Sequence, residues 1–273
     1  MLRDILVNLI AVFLIFIARL LGFDLFSRTI RLSRRLPMLI RKLSRVETAL
    51  MYTDCEDELH TTRTLAARLE ATLNASGHRV RMEIVRDGVD LARWPFPFWA
   101  VSAIVLLLTD VTQFSPRPRD RARLQNRLVK YVHNGGCLVL GHDVIYRRTR
   151  NERLQRLAGC VLDNFKRLEE PVKYEKVTTG ARACSDLKLL ASLPSSLELG
   201  DNEVIIGTWM ADVEYLYHWQ TDEEVPLVTR RTVGQGRVYW VNSGDTNISG
   251  PPRSLARPED ELVSLLAELL QHR

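Results

Sequence analysis

The sequence predicts an α/β domain: a doubly wound, mostly parallel sheet with helices on both faces, preceded by an N-terminal apolar helix. Three observations predict it. Short apolar runs alternate with stretches of helical spacing along residues 48–271. The run at 103–108 (AIVLLL) is apolar throughout, as expected of a strand covered on both faces in a parallel sheet. Several strand-like runs end in polar or glycine residues, where chains of this architecture turn toward a helix and present ligand-binding groups.

The first element is the apolar segment. Residues 5–18 read ILVNLIAVFLIFIA, uncharged with Asn8 as the one polar residue. Arg3 and Arg19 flank it and can snorkel to the two interfaces, which extends the span to about residues 2–21, close to the ~20 residues a crossing needs. A cleaved signal peptide fits less well, because no small-residue cleavage site follows. A soluble amphipathic helix would show regular polar positions, and residues 9–18 show none. The segment is therefore read as a membrane anchor, spanning or embedded in the interface. Arg28, Arg31, Arg34, Arg35, Arg41, Lys42 and Arg45 follow at once, and the positive-inside rule places them, with everything downstream, on the cytoplasmic side. Residues 26–43 are also amphipathic and suit an anionic lipid surface, with Pro37 interrupting any helix there.

The remaining elements follow in order. Residues 48–52 form a short apolar strand and 53–57 a polar turn. Helical spacing of Leu65, Leu69 and Leu73 marks a helix over 59–75, stopped by Ser76-Gly77. Residues 78–85 alternate as a second strand, and 103–108 are the third. Residues 121–133 are a basic amphipathic helix closed by Asn134-Gly135-Gly136, and 137–140 are the next central strand. A helix begins at 152. Residues 225–231 and 237–242 flank Gly234-Gln235-Gly236, a hairpin signal, and 259–271 close the chain as an amphipathic helix.

Charge sharpens the division. The chain carries 38 Lys+Arg and 33 Asp+Glu. Residues 1–46 hold nine basic and two acidic side chains, which leaves 29 basic against 31 acidic in residues 47–273. The basic excess belongs to the anchor and its juxtamembrane collar, so the folded part is not a nucleic-acid-coating surface. With 46% hydrophobic and 26% charged residues the chain is globular and not disordered. The expected organisation is an anchor over 1–46 and one α/β domain over 47–273. Cys55, Cys137, Cys160 and Cys184 form no C-x-x-C pair and read as reduced, mostly buried thiols.

The residues at the strand ends are the candidate site. Cys137-Leu-Val-Leu-Gly-His142-Asp143 places His142 and Asp143 at a strand-to-turn junction, where a nucleophile elbow would carry Ser or Cys. Without a nucleophile the chemistry left to His142 and Asp143 is general acid/base work or ligand binding. The alternative is a histidine satisfied by backbone in a turn. Tyr52, Thr53, Asp54 and His60 follow the first strand, Asp110 follows the third, and Asp245, Thr246 and Asn247 follow the last. All eight are candidate ligand-binding residues. A metal reading through Asp54, His60, His142 and Asp245 is weak, because the four are scattered along the chain, and no metal is assigned. The Gly234-Gln235-Gly236 turn is no phosphate loop, since no Lys-Ser/Thr follows. Residues 116–127 are a basic stripe, read as a solvated helix face. The aromatic, proline-broken stretch 94–99 reads as a loop capping the sheet.

Together these segments resemble the ThuA-like (trehalose-utilisation) family of the class I glutamine amidotransferase-like superfamily. The resemblance rests on "SGHRV", the apolar strand ending at Asp110, "YVHNGGCLVLGHD", and "VPLVTRRTVGQGRVYWVNSGD" before a final helix. His142 matches the family's histidine where true amidotransferases carry their cysteine, and His60 matches an early histidine. Gly234, Gly236, Arg237 and Val238 match a Gly-x-Gly-Arg-Val turn, with Gln235 in place of Lys. The late Gly-His is Gly244-Asp245 here, and an Asp-Glu pair is reduced to Asn202-Glu203. The resemblance implies a flavodoxin-like fold and no glutaminase activity. The expected function is a membrane-anchored, cytosol-facing domain. It would touch lipid through residues 2–45 and bind a small polar ligand, sugar or nucleotide-like, at the strand ends. The alternative is an inert scaffold that recruits a protein partner.

Overall fold

Side-chain alternation places the sheet between two apolar layers. In β1 (Glu47–Thr53), Ala49 and Met51 enter one core while Leu50 and Tyr52 enter the other. β3 (Val101–Leu108) divides likewise, with Ala103, Val105 and Leu107 on the first side and Ile104 and Leu106 on the second. So does β4 (Cys137–Leu140), with Cys137 and Val139 opposite Leu138 and Leu140. A period of two with both faces buried is why these strands read as unbroken apolar runs. The computed structural model describes residues 46–53, 59–86, 88, 91, 101–108, 118–145, 151–199, 202–243 and 260–273.

Helices cover both faces. α1 (Leu59–Ala75) lays Leu65, Leu69 and Leu73, one turn apart and all at 0% exposure, on the first face. Each such leucine stabilises the fold by about 2 kcal/mol. α1 ends where Gly77 adopts φ +87° and His78 N–H donates to Leu73 O. α2 (Pro118–His133) covers the second face with Leu124, Leu128 and Val132, next to α3 (Glu152–Ala158) with Leu154 and Leu157. α4 (Leu187–Ser192) and α5 (Asp260–Gln271) join α1 on the first face. Of the basic stripe, Arg119 and Arg123 of α2 are exposed and Arg121 and Arg127 half-buried, while Pro116 and Arg117 lie outside the described residues.

The main sheet has nine strands. Their order is β2 (Val80–Val85), β1, β3, β4, β11 (Gly236–Val241), β10 (Asp222–Val233), β9 (Glu214–Trp219), β6 (Lys173–Lys176) and β7 (Ser196–Glu198). The pairs from β2 to β11 are parallel, and their 2-1-3-4 start is the doubly wound order with its switch between β1 and β3. The pairs from β11 to β7 are antiparallel. The expectation of a mostly parallel sheet is therefore corrected: half of the eight neighbour pairings are antiparallel. Part of the cause lies in two-residue connections: Gln220-Thr221 joins β9 to β10 and Gly234-Gln235 joins β10 to β11, and antiparallel neighbours alone can be joined so. A second sheet pairs β5 (Cys160–Arg167) with β8 (Glu203–Trp209).

The predicted hairpin is present. Val233 pairs with Gly236 across Gly234-Gln235, with Gly234 at φ +61°. Cys137, Cys160 and Cys184 are buried free thiols, while Cys55 lies outside the described residues. Among the described residues no helix is long and apolar enough to cross a membrane. The predicted span and its basic collar, residues 2–45, lie outside the described residues, as does the 94–99 loop.

Candidate functional site

β4 ends against both its neighbours. Gly141 N–H donates to Leu106 O of β3 at 2.9 Å, and His142 N–H donates to Ser243 O, just past β11, at 3.0 Å. Gly141 is required there by space: a Cβ at that position would sit 2.5 Å from Leu107 O and 2.9 Å from its Cα. The chain then enters a 3-10 turn, His142–Ile145, held by a bond from Val144 N–H to Gly141 O. His142 is 3% exposed, with Val144 and Ile145 at 0%.

A polar network braces this turn from below. Asn151 Nδ2 donates to Val144 O at 2.8 Å, and Gln125 Nε2 donates to Asn151 Oδ1 at 3.0 Å. Gln125 Oε1 accepts from Arg153 N–H. Gln125 and Asn151 are 1% and 0% exposed, so one buried pair ties α2, the start of α3 and the histidine turn together.

The end of β11 is clamped to the second sheet. Asn242 Nδ2 donates to Glu203 O at 2.7 Å, and Asn242 Oδ1 accepts from Ile205 N–H at 3.0 Å. Glu203 is 6% exposed and accepts from Arg167 Nε at 2.5 Å. Trp209 of β8 packs on Trp240 of β11, ring centroids 5.1 Å apart. Ser243 is 0% exposed, and its hydroxyl has no hydrogen-bond partner among the described residues.

The parallel pairings bring the ends of β1, β3, β4 and β11 to one edge of the sheet. His142 stands at that edge beside Ser243. Tyr52 reaches the same edge from β1 but is fully buried, in the same core cluster as Leu106 and Leu140. Thr53 ends β1, His60 lies in the first turn of α1 and Asp143 in the 3-10 turn. Asp54, Asp110, Asp245, Thr246 and Asn247 lie outside the described residues. Among the described residues no group of three or more His, Cys, Asp or Glu is placed to hold a metal. Ser243, Asn242, Gln125 and Asn151 were not singled out from sequence. The "VNSGD" after an apolar strand was the one signal for the first two. Gln125 and Asn151 are 26 residues apart and carry no local signal.

No family model and no curated protein matches the sequence. Solved structures do. A thua-like protein from Bacteroides uniformis superposes with a TM-score of 0.55 at 16% identity, covering 82% of this chain and 89% of that one. A thua-like protein from Parabacteroides merdae gives 0.55 at 14% identity, covering 82% and 88%. A cytoplasmic protein of Salmonella typhimurium LT2 gives 0.54 at 15%, covering 76% and 86%. At these identities the likeness concerns architecture, and it matches the resemblance read from the sequence: the chain has the fold of ThuA-like proteins.

Proposed function

We propose that residues 47–273 bind a small polar ligand at the carboxyl ends of β1, β3, β4 and β11, while residues 2–45 hold the domain on the cytoplasmic face of a membrane. The observation that carries the ligand reading is Ser243. A buried hydroxyl without a partner costs about 1–3 kcal/mol, and a ligand offering a donor or acceptor cancels that cost. This hydroxyl lies at the sheet edge where doubly wound folds bind ligands, next to the turn that carries His142 and Asp143. The candidates read from the sequence, Thr53, Asp54, His60, Asp110, Asp245, Thr246 and Asn247, carry hydroxyl, carboxylate and imidazole groups, and a sugar or nucleotide-like compound matches that chemistry. His142 and Asp143 would supply general acid/base or hydrolytic chemistry. With histidine where an amidotransferase carries cysteine, no thiol attacks glutamine, so glutaminase activity is not expected.

A second reading has its own support. Val161, Ile206 and Met210 are 52%, 38% and 52% exposed on the β5–β8 ribbon, an apolar surface suited to recruiting a protein partner to an inert scaffold.

The test is a thermal-shift screen of the full chain in detergent micelles against sugars and nucleotides. A ligand at 100 times its Kd should stabilise by about 2.7 kcal/mol. That gain should vanish in a His142→Ala, Ser243→Ala double variant. Undiminished ligand stabilisation in the double variant sinks the site. Recovery of the intact chain in the soluble fraction without detergent sinks the anchor.

A further inference from the structure

The helices on the two faces of the sheet carry different charge. Histidine aside, α2 and α3 on the second face hold seven basic and two acidic side chains, a net +5. The helices of the first face, α1, α4 and α5, hold three basic and four acidic ones, a net −1. Residues 47–273 as a whole hold 29 basic and 31 acidic side chains, so the excess on α2 and α3 is a local concentration in a slightly acidic domain. Leu124, Leu128, Leu154 and Leu157 take these two helices into the core, while Arg119, Arg123, Lys130, Arg153 and Arg156 are exposed. Among the described residues no salt bridge engages any of those five. Arg119, Arg123 and Arg127 also follow one another at i,i+4 spacing, where like charges repel. An extended anionic surface laid along the helices relieves that repulsion.

The same side of the molecule exposes apolar side chains. The β5–β8 ribbon turns Cys160, Ile205 and Trp209 into the core that α2 and α3 cover. Alternation then points Val161, Ile206 and Met210 outward, at 52%, 38% and 52% exposure. Gly159 alone separates α3 from β5, and Met210 N–H donates to Gly159 O at 2.8 Å. That bond sets Met210 beside the end of α3 that carries Arg156.

Arginines next to exposed apolar side chains suit a bilayer interface, where the charges meet headgroups and the apolar groups enter the acyl boundary. A single-stranded nucleic acid would call for aromatic side chains to stack its bases, and Val161, Ile206 and Met210 are not aromatic. We propose that α2, α3 and the outer side of the β5–β8 ribbon form a second membrane contact, lying on the headgroups of an anionic bilayer. The inference rests on the anchoring read from residues 2–45, because such a face binds weakly unless the domain is already held at the surface. Contact through this face lays the sheet along the bilayer and turns α1, α4 and α5 to the solvent.

The test is arginine footprinting of the full chain with phenylglyoxal, read by mass spectrometry. It compares vesicles of phosphatidylcholine with vesicles of phosphatidylcholine and phosphatidylserine in equal parts. Modification of Arg119, Arg123, Arg153 and Arg156 should slow about fivefold on the mixed vesicles, the factor set by one basic residue held at an anionic surface. Arg63, exposed on α1 of the opposite face, should react at the same rate on both. A variant carrying Arg119→Gln, Arg123→Gln, Arg153→Gln and Arg156→Gln should float with phosphatidylcholine as the wild type does. Its extra affinity for the mixed vesicles should fall at least about tenfold. Failure of the wild type to float with phosphatidylcholine would count against the anchor, and protection by the mixed vesicles would then uphold this contact by itself. Equal modification rates on the two vesicles overturn the proposal. So does equal slowing at Arg63, or protection of the same four arginines by single-stranded RNA at matched phosphate concentration.

Discussion

Arg230 shows how a charge survives inside the antiparallel half. It is 6% exposed in the middle of β10, where an unpaired guanidinium would be very costly. Nη1 donates to Glu214 Oε2 at 2.6 Å, and Asp186 Oδ2 lies 3.7 Å from Nη2. Glu214 also accepts from Ser185 N–H at 3.0 Å. Burial alone would raise the Glu214 carboxyl, but the bonds from Ser185 and the Arg230 guanidinium outweigh it and hold the group below its ordinary value of 4.5. A carboxylate lowered in this way stabilises the fold fully above its unfolded pKa, and that contribution is lost as pH falls through the folded value. Glu214→Gln should therefore cost about 1–3 kcal/mol at pH 7 in urea unfolding and flatten the loss of stability below pH 4.5. An unchanged acid limb would show that the pair is not coupled to folding. Burial pushes the Cys137 thiol up to about 12 and raises Cys184 too, so neither is a thiolate at neutral pH. That agrees with their reading as structural thiols.

Among the elements, the histidine turn depends on groups far from it in sequence. Its carbonyl at Val144 is held by Asn151, which Gln125 holds in turn. Asn151→Ala removes the donor to the Val144 carbonyl and the acceptor of Gln125 Nε2, two bonds of a buried cluster. The expected loss is about 2 kcal/mol in denaturant unfolding, with faster amide exchange at Val144. A loss under about 0.5 kcal/mol would mean that water replaces the side chain. The elements that sequence reading found were those with strong periodicity: 59–75 and 137–140 to the residue, and the others within a few residues. Those it missed lie in residues 160–219. β6 (KYEK) and β7 (SLE) are too short and polar to show a period. The β9–β10 connection, Gln220-Thr221, has none of the Gly, Asn or Pro that mark hairpin turns.

For the whole molecule, the sheet is a hybrid. Its parallel half carries the strand-end edge, and its antiparallel half carries the buried Arg230–Glu214 pair. The two halves meet at the β10–β11 hairpin, whose Gly236 lies so close to Val132 O and Gly136 O that a Cβ has no room. The charge division also acts at this scale. Replacing Arg28, Arg31, Arg34 and Arg35 with glutamate should weaken association with phosphatidylserine vesicles, by about 1 kcal/mol for each basic residue lost, in a flotation assay. Deleting residues 2–21 should abolish association altogether. Equal flotation of the arginine variant would show that the collar does not touch lipid.

Local spacing alone determined the central βα units, the hairpin turn, the charge asymmetry and the placing of His142 at a strand end. Each is a property of neighbouring residues: apolar period, glycine position, summed charge. Tertiary structure decided the rest. It set the antiparallel half, whose short strands are defined by their partners and not by their own pattern. It brought Ser243 beside the His142 turn, since β4 and β11 pair across about a hundred intervening residues. It joined Gln125 to Asn151, and it set Glu175 of β6 opposite His218 of β9. Those contacts depend on strand register, which is settled by which face is buried, and a linear sequence shows that only where one strand's own alternation is strong.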